Sequence, residues 1–172
     1  MCSVLKKLGY YVMLLDFYYI SNTKYQSYHL EKEKKIIGRT DKVDFPLLTL
    51  EGIDVKIDTG AYTSTIHCSN IKEIEQTLHC HFLDATHPEY NSKKFTFKNY
   101  DIIAVKSSNG QIEVRYAIKT KVNLFDKNYP ITLTLSTRDD MRFPVLIGRK
   151  FLSGKFVVDP QLENQSYNQH VQ

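Results

Sequence analysis

Apolar and polar residues alternate along much of this chain, and no long helical periodicity interrupts residues 34–160. Ile53-Asp54-Val55-Lys56-Ile57 alternates with period two, as do Leu78-His79-Cys80-His81-Phe82 and residues 101–105, 112–120 and 129–135. Each run predicts a strand with one buried face. Leu78, Cys80 and Phe82 share one face of their strand, and His79 and His81 share the other. Residues 47–50 predict a further strand that turns at Glu51-Gly52 into the strand 53–57. Thr63-Ser64-Thr65-Ile66 is rich in β-branched residues and predicts extended chain. Asn109-Gly110 between two alternating runs is a strong hairpin signal. Residues 84–94 are polar and predict a loop. Toward the C-terminus an apolar strand, Phe143-Pro144-Val145-Leu146-Ile147-Gly148, precedes a short helical turn over residues 149–152. A second apolar strand follows over residues 156–160. The fold class that results is all-β with one short C-terminal helix.

Bulk properties add limits. A chain of 172 residues predicts one domain with a substantial core. Its 42% hydrophobic and 24% charged residues are ordinary for a globular protein. A formal charge of +4 is too weak to argue for nucleic acid and is compatible with acidic peptides. Three cysteines, Cys2, Cys68 and Cys80, provide no disulfide framework and favour a reducing, cytoplasmic compartment. No run approaches the ~18 apolar residues of a membrane span, so no membrane partner is expected.

Three segments are expected. Residues 1–33 carry Lys6-Lys7 ahead of an apolar stretch cut by Asp16, and six tyrosines, Tyr10, Tyr11, Tyr18, Tyr19, Tyr25 and Tyr28. They read as a docking segment or an early translation start, with a weak interfacial anchor as the third reading. Residues 34–160 form the domain. Residues 161–172 are polar, have nothing evident to bury, and are expected to lack ordered structure.

The chemistry centres on Asp58-Thr59-Gly60-Ala61, directly after the strand 53–57. A carboxylate at a strand end, followed by a hydroxyl and a residue without a side chain, predicts a tight loop that holds an acid/base group. The threonine hydroxyl can bond to nearby backbone and brace the loop. Asp-Thr-Gly also makes ordinary turns. The later Leu146-Ile147-Gly148 supplies independent support.

Together these segments resemble the retropepsin pattern of aspartic peptidases. Val43-Asp44-Phe45-Pro46, residues 56–64, Ser107-Ser108-Asn109-Gly110-Gln111 and residues 138–144 narrow the resemblance. They are similar to the bacterial RimB-like family, often labelled "ATP-dependent zinc protease", over residues 34–160. The resemblance implies a closed retropepsin-like β-barrel with Asp58 as the catalytic residue and Thr59 and Gly60 supporting its loop. It implies that Ala61 lines the cleft, that the hairpin at Asn109-Gly110 is a flap over substrate, and that the apolar strand ending at Gly148 packs behind the loop. Hairpin as plain sheet connection stays open beside hairpin as flap. The resemblance also implies a link to removal of glutamate tails from a ribosomal protein. Arg142 and Arg149, with Arg115 as a further candidate, are placed to grip substrate carboxylates in bidentate fashion. Pairing with Asp139, Asp140 or Asp159 is the other reading of these arginines.

Aspartic-peptidase chemistry needs two carboxylates that share a proton around one water. Asp54 lies on the strand face of Asp58, but four residues of strand separate them by about 13 Å. Asp139-Asp140 sit between arginines and read as turn residues, and Asp159 reads as a strand-end residue. One Asp-Thr-Gly per chain therefore predicts a homodimer with Asp58 from each protomer on a two-fold axis.

The other chemistries are thinly supported. His67, Cys68, His79, Cys80, His81 and His87 follow no recognised zinc spacing, so no metal and no cofactor are expected. No phosphate-binding Gly-x-x-x-x-Gly-Lys loop stands in the chain, and no Gly-x-Ser-x-Gly elbow. Two alternatives to the peptidase remain: a non-catalytic peptide-binding or assembly module with the same β-fold, and a zinc hydrolase using the His/Cys cluster.

Overall fold

The computed structural model describes residues 34–106, 110, 112–137 and 142–171. The N-terminal extension 1–33, Asn109 and the pair Asp139-Asp140 lie outside the described residues.

Alternation produces the strands expected over residues 53–57, 78–82, 101–105, 112–120 and 129–135, and the chain adds strands over residues 35–37, 40–45 and 94–97 that no sequence signal announced. β1 (Lys35–Ile37), β2 (Thr40–Phe45), β3 (Leu50–Asp58), β4 (Ser64–Ile74), β5 (Thr77–Phe82), β6 (Lys94–Phe97), β7 (Asp101–Lys106), β8 (Ile112–Leu124), β9 (Lys127–Ser136), β10 (Val145–Gly148) and β11 (Phe156–Val158) account for most of the fold. In β3 the period is plain: Ile53, Val55 and Ile57 are buried, and Asp54 and Lys56 are exposed. Burying each such side chain contributes about 1.5–3 kcal/mol. β5 buries Leu78, Cys80 and Phe82, the face its alternation predicts.

The main sheet is ring-like. Its order runs β10-β3-β2-β8-β9-β4, and β10 pairs β3 on one side and β4 on the other. β5 and β6 extend the sheet beyond β4, and β7 pairs β8 alone. Ile53, Val55, Ile66, Ile118, Leu133 and Val145 are buried in the core that this sheet encloses. β1 and β11 form a separate parallel pair.

Local sequence reading missed two hairpin turns. Glu75-Gln76 and Phe125-Asp126 all have positive φ, between 48° and 58°, as two-residue turns with matching twist require. Neither contains glycine, so neither announces itself. The Phe125 ring stacks on Phe156 at 6.0 Å and its backbone N–H donates to Ser166 Oγ at 2.6 Å, which offsets the backbone cost. The predicted strand over residues 47–50 is also corrected. Pro46–Leu48 forms a 3-10 turn closed by Thr49 in the left-handed region, so β3 starts at Leu50 and pairs with β2. Proline fits the first position of such a turn because its missing N–H is not needed there.

The expected single helix, α1 (Arg149–Leu152), is present. A second, α2 (Gln165–Val171), corrects the expectation of an unstructured tail. The polar tail finds its partner in Asp41, which is only 1% exposed. Asp41 Oδ2 accepts the Ser166 N–H at 2.9 Å, and Oδ1 accepts those of Tyr167 and Lys42 at 3.1 and 2.9 Å. A carboxylate at a helix start satisfies donors that have no partner within the helix. Burial nevertheless outweighs these hydrogen bonds and pushes the Asp41 carboxyl above its ordinary value of 3.8. Among the described residues, no helix is long and apolar enough to cross a membrane.

Candidate active site

β3 delivers Asp58 to the edge where Gly148 of β10 lies beside it in parallel register. Asp58 is half-buried, and Thr59 and Gly60 are exposed. Asp58 Oδ1 accepts the N–H groups of Gly60 and Ala61, both at 3.1 Å. The carboxylate is thereby aimed by its own loop. A Cβ on Gly60 would come to 3.3 Å from Asp58 Oδ1, so a larger residue would crowd the carboxylate.

The brace of the loop differs from expectation. The Thr59 hydroxyl makes no hydrogen bond with the described residues; α1 holds the loop instead. The Arg149 and Lys150 N–H groups donate to the Ala61 and Tyr62 carbonyls at 2.9 and 3.0 Å. The Arg149 guanidinium donates to the Gly60 carbonyl at 3.0 Å and lies 5.6 Å from the centre of the Tyr62 ring. Arg149, expected to grip substrate, is thus engaged by the loop itself. Ser64 Oγ accepts the Gly148 N–H at 3.0 Å and ties β10 to β4. Ala61 is half-buried at the loop end.

A basic cleft opens on the same face of β3. Arg39, Thr40, Lys56, Arg142, Phe143, Leu146 and Glu163 line a cavity of about 570 Å³. Lys56 precedes Asp58 by two residues, about 7 Å along the strand, and points to the same side. Arg39 is neutralised by Glu163 at 2.5 Å. Lys56 and Arg142 have no ion-pair partner among the described residues. Arg142, expected to grip substrate carboxylates or to pair with Asp139 or Asp140, lines this cleft. Arg39 and Lys56 were missed, because exposed cations on alternating strands read as ordinary surface.

Arg115 is 8% exposed and bonds Glu113 at 2.6 Å. Gly110 adopts φ 84°, the left-handed conformation its hairpin tip requires. Ile102, Ile112 and Val114 on the β7–β8 arm are exposed. Asp54 pairs with Lys42 at 2.8 Å, which agrees with its reading as a residue outside the dyad. Asp159 accepts the Gln161 N–H at 2.9 Å, as a strand-end residue does.

The histidines separate into two groups. His79 and His81 sit on the polar face of β5, with Thr96 and Asn70 as their neighbours. His67 and His87 instead converge on Asp84, a residue that the sequence reading left in a polar loop. Hydrogen bonds from the Thr86 hydroxyl and backbone hold the Asp84 carboxyl well below the usual carboxylate range, with His87 and His67 adding smaller contributions. Cys68 is fully buried, and burial pushes its thiol well up, the setting of a structural cysteine.

A parallel strand pair that brings an Asp-Thr-Gly loop and an apolar-apolar-glycine strand to one edge of a ring-like sheet is the architecture of retropepsin-like proteins. Within that class the chain belongs to the RimB-like family, described as retropepsin-like aspartic endopeptidase RimB, which matches residues 36–168. Proteins named "Probable alpha-L-glutamate ligase" from Shewanella halifaxensis and Desulfotalea psychrophila are 36% and 34% identical to it over 135 and 134 residues. Each match covers 76% of this chain; the matched region is 30% and 29% of the respective relatives. The crystal structure of Lpg0085 from Legionella pneumophila, titled as a protein of unknown function, has a TM-score of 0.60 and 25% identity, covering 77% of this chain and 98% of its own.

Proposed function

We propose that this protein is a homodimeric aspartic endopeptidase that cleaves glutamate-rich peptide tails, with one Asp58 from each protomer. The observation that carries this reading is the position of Asp58 on a braced loop, one strand step from the basic cleft of Lys56 and Arg142. Lys56 and Arg142, which have no ion-pair partner among the described residues, favour substrates with acidic side chains. The relatives support the same chemistry from the synthetic side: proteins named for glutamate ligation carry a region similar to this chain. Tails of glutamate on a ribosomal protein are the proposed substrate, as the family resemblance implies. Cys68 and Cys80 are free thiols, which supports a cytoplasmic setting.

The reaction needs only groups of this chain and its copy. Water lies between the two Asp58 carboxyl groups, one ionised and one protonated. The ionised group takes a proton as the water oxygen attacks the peptide carbonyl carbon, and the other gives its proton to the carbonyl oxygen. The tetrahedral diol then collapses: the carboxyl that took the water proton passes it to the leaving nitrogen, the C–N bond breaks, and the ionised carboxylate takes a diol hydroxyl proton as the carboxylic acid product forms. The β7–β8 arm, with its exposed Ile102, Ile112 and Val114, is the proposed flap.

Asp58→Asn keeps the shape of the loop and removes the titrating group. Wild type should cleave glutamate-rich peptides, and the variant should be inactive. Equal cleavage by both would reject Asp58 as catalyst. Tight binding without cleavage by a dimeric wild type would establish the peptide-binding module instead.

A further inference from the structure

We propose that His67, Asp84 and His87 form a binding site for one zinc ion that fastens the 84–90 loop to β4. His67 Nε2 lies 2.7 Å from Asp84 Oδ2, and His87 Nδ1 lies 3.0 Å from Asp84 Oδ1. One ligand atom from each residue lies within 4.8 Å of the other two. Tetrahedral zinc with bonds near 2.0–2.2 Å holds its ligand atoms roughly 3.3 Å apart, so side-chain adjustments suffice. Two imidazoles and one carboxylate suit zinc, whereas calcium and magnesium favour sets of oxygen ligands.

The frame around the ligands is built. His67 is 2% exposed, and its backbone N–H donates to the Pro144 carbonyl at 2.8 Å. The Leu83 N–H donates to the His67 carbonyl at 3.0 Å, which sets Asp84 beside the histidine. The Thr86 N–H and hydroxyl donate to Asp84 Oδ1 at 2.8 and 2.5 Å, leaving Oδ2 directed at His67. This is the outer-sphere support that orients a ligating carboxylate. Asp84 and His87 are partly exposed, which provides an entry path and room for water as the fourth ligand. The site holds β4 and the start of the loop together through a cation shared by three side chains. No step of peptide hydrolysis runs through it.

The test uses the full chain, stripped with a chelator and titrated with Zn²⁺ against a chromogenic competitor, with Co²⁺ absorption as a second probe. One ion per chain is expected, with cobalt bands of a low-coordinate N/O site and a rise in Tm on zinc addition. His87→Ala and Asp84→Asn should each weaken binding by more than the roughly 10- to 100-fold typical of outer-sphere partners. The double variant His79→Ala/His81→Ala should bind like wild type, and circular dichroism should report native folding in each. Absence of stoichiometric binding to folded wild type would overturn the site and leave a plain hydrogen-bonded cluster. Binding that survives both ligand variants, or that disappears with His79 and His81, would overturn it equally.

Discussion

Gly148 lies beside Asp58 in parallel register, and a Cβ on Gly148 would stand 2.5 Å from the Thr63 carbonyl oxygen. The Thr63 carbonyl carbon and the Tyr62 oxygen would lie at 2.6 and 2.9 Å, so no flexible side chain could yield. Gly148→Ala should therefore push β10 away from the Asp58 loop. A stability loss of about 1–3 kcal/mol is expected by urea unfolding, with peptide cleavage abolished. Full activity in a native-like variant would show that the close approach is dispensable.

Arg149 should act as a positioning residue. It holds the loop by its backbone and its guanidinium, so Arg149→Ala should lower kcat roughly 10-fold with little change in KM. Its exposure limits the stability loss to about 1 kcal/mol. Arg149→Lys should restore little, because an ammonium lacks the planar fork that serves the loop carbonyl and the Tyr62 face together. A large rise in KM at constant kcat would return Arg149 to the substrate-binding role.

The basic cleft should decide affinity for acidic peptides. Lys56→Glu and Arg142→Glu should each raise KM for glutamate-rich peptides roughly 10-fold and reduce the salt dependence of cleavage. Neutral peptides, if cleaved, should be affected less. Unchanged KM in both variants would remove the cleft from substrate recognition.

Asp41 should give stability a pH dependence. Its carboxyl is raised above 3.8 by burial, so between 3.8 and the native value the folded chain holds more protons than the unfolded one. The stability contributed by this group is full below 3.8 and is lost as pH rises through the native value. Asp41→Asn cannot titrate there. The stability of wild type relative to Asp41→Asn, measured by urea unfolding from pH 3 to 7, should fall as pH rises. A difference that grows with pH would mean that the backbone N–H donors outweigh burial.

Dimerisation should be visible in mixtures. With random exchange, equal amounts of wild type and Asp58→Asn should halve the activity per wild-type chain, since a single ionisable carboxylate cannot complete the proton transfers. Dilution should lower activity as dimers separate. Constant activity per wild-type chain in both tests would call for a second carboxylate in the same chain.

The sequence by itself determined the alternating strands of this protein and the candidate catalytic loop. Alternation in Ile53-Asp54-Val55-Lys56-Ile57 reports which face is buried, a local property that one strand carries alone. Asp58-Thr59-Gly60 and Ile147-Gly148 were legible because tight loops and close approaches restrict residue type. Only the tertiary structure decided the partners of the polar groups. Arg149 reaches a loop carbonyl, Asp41 captures the tail helix, and Arg39, Lys56 and Arg142 meet in one cleft. Asp84 draws His67 and His87 together in the same way. Hydropathy cannot find such sets, since polar side chains are satisfied equally well by water or by any donor or acceptor the fold brings near.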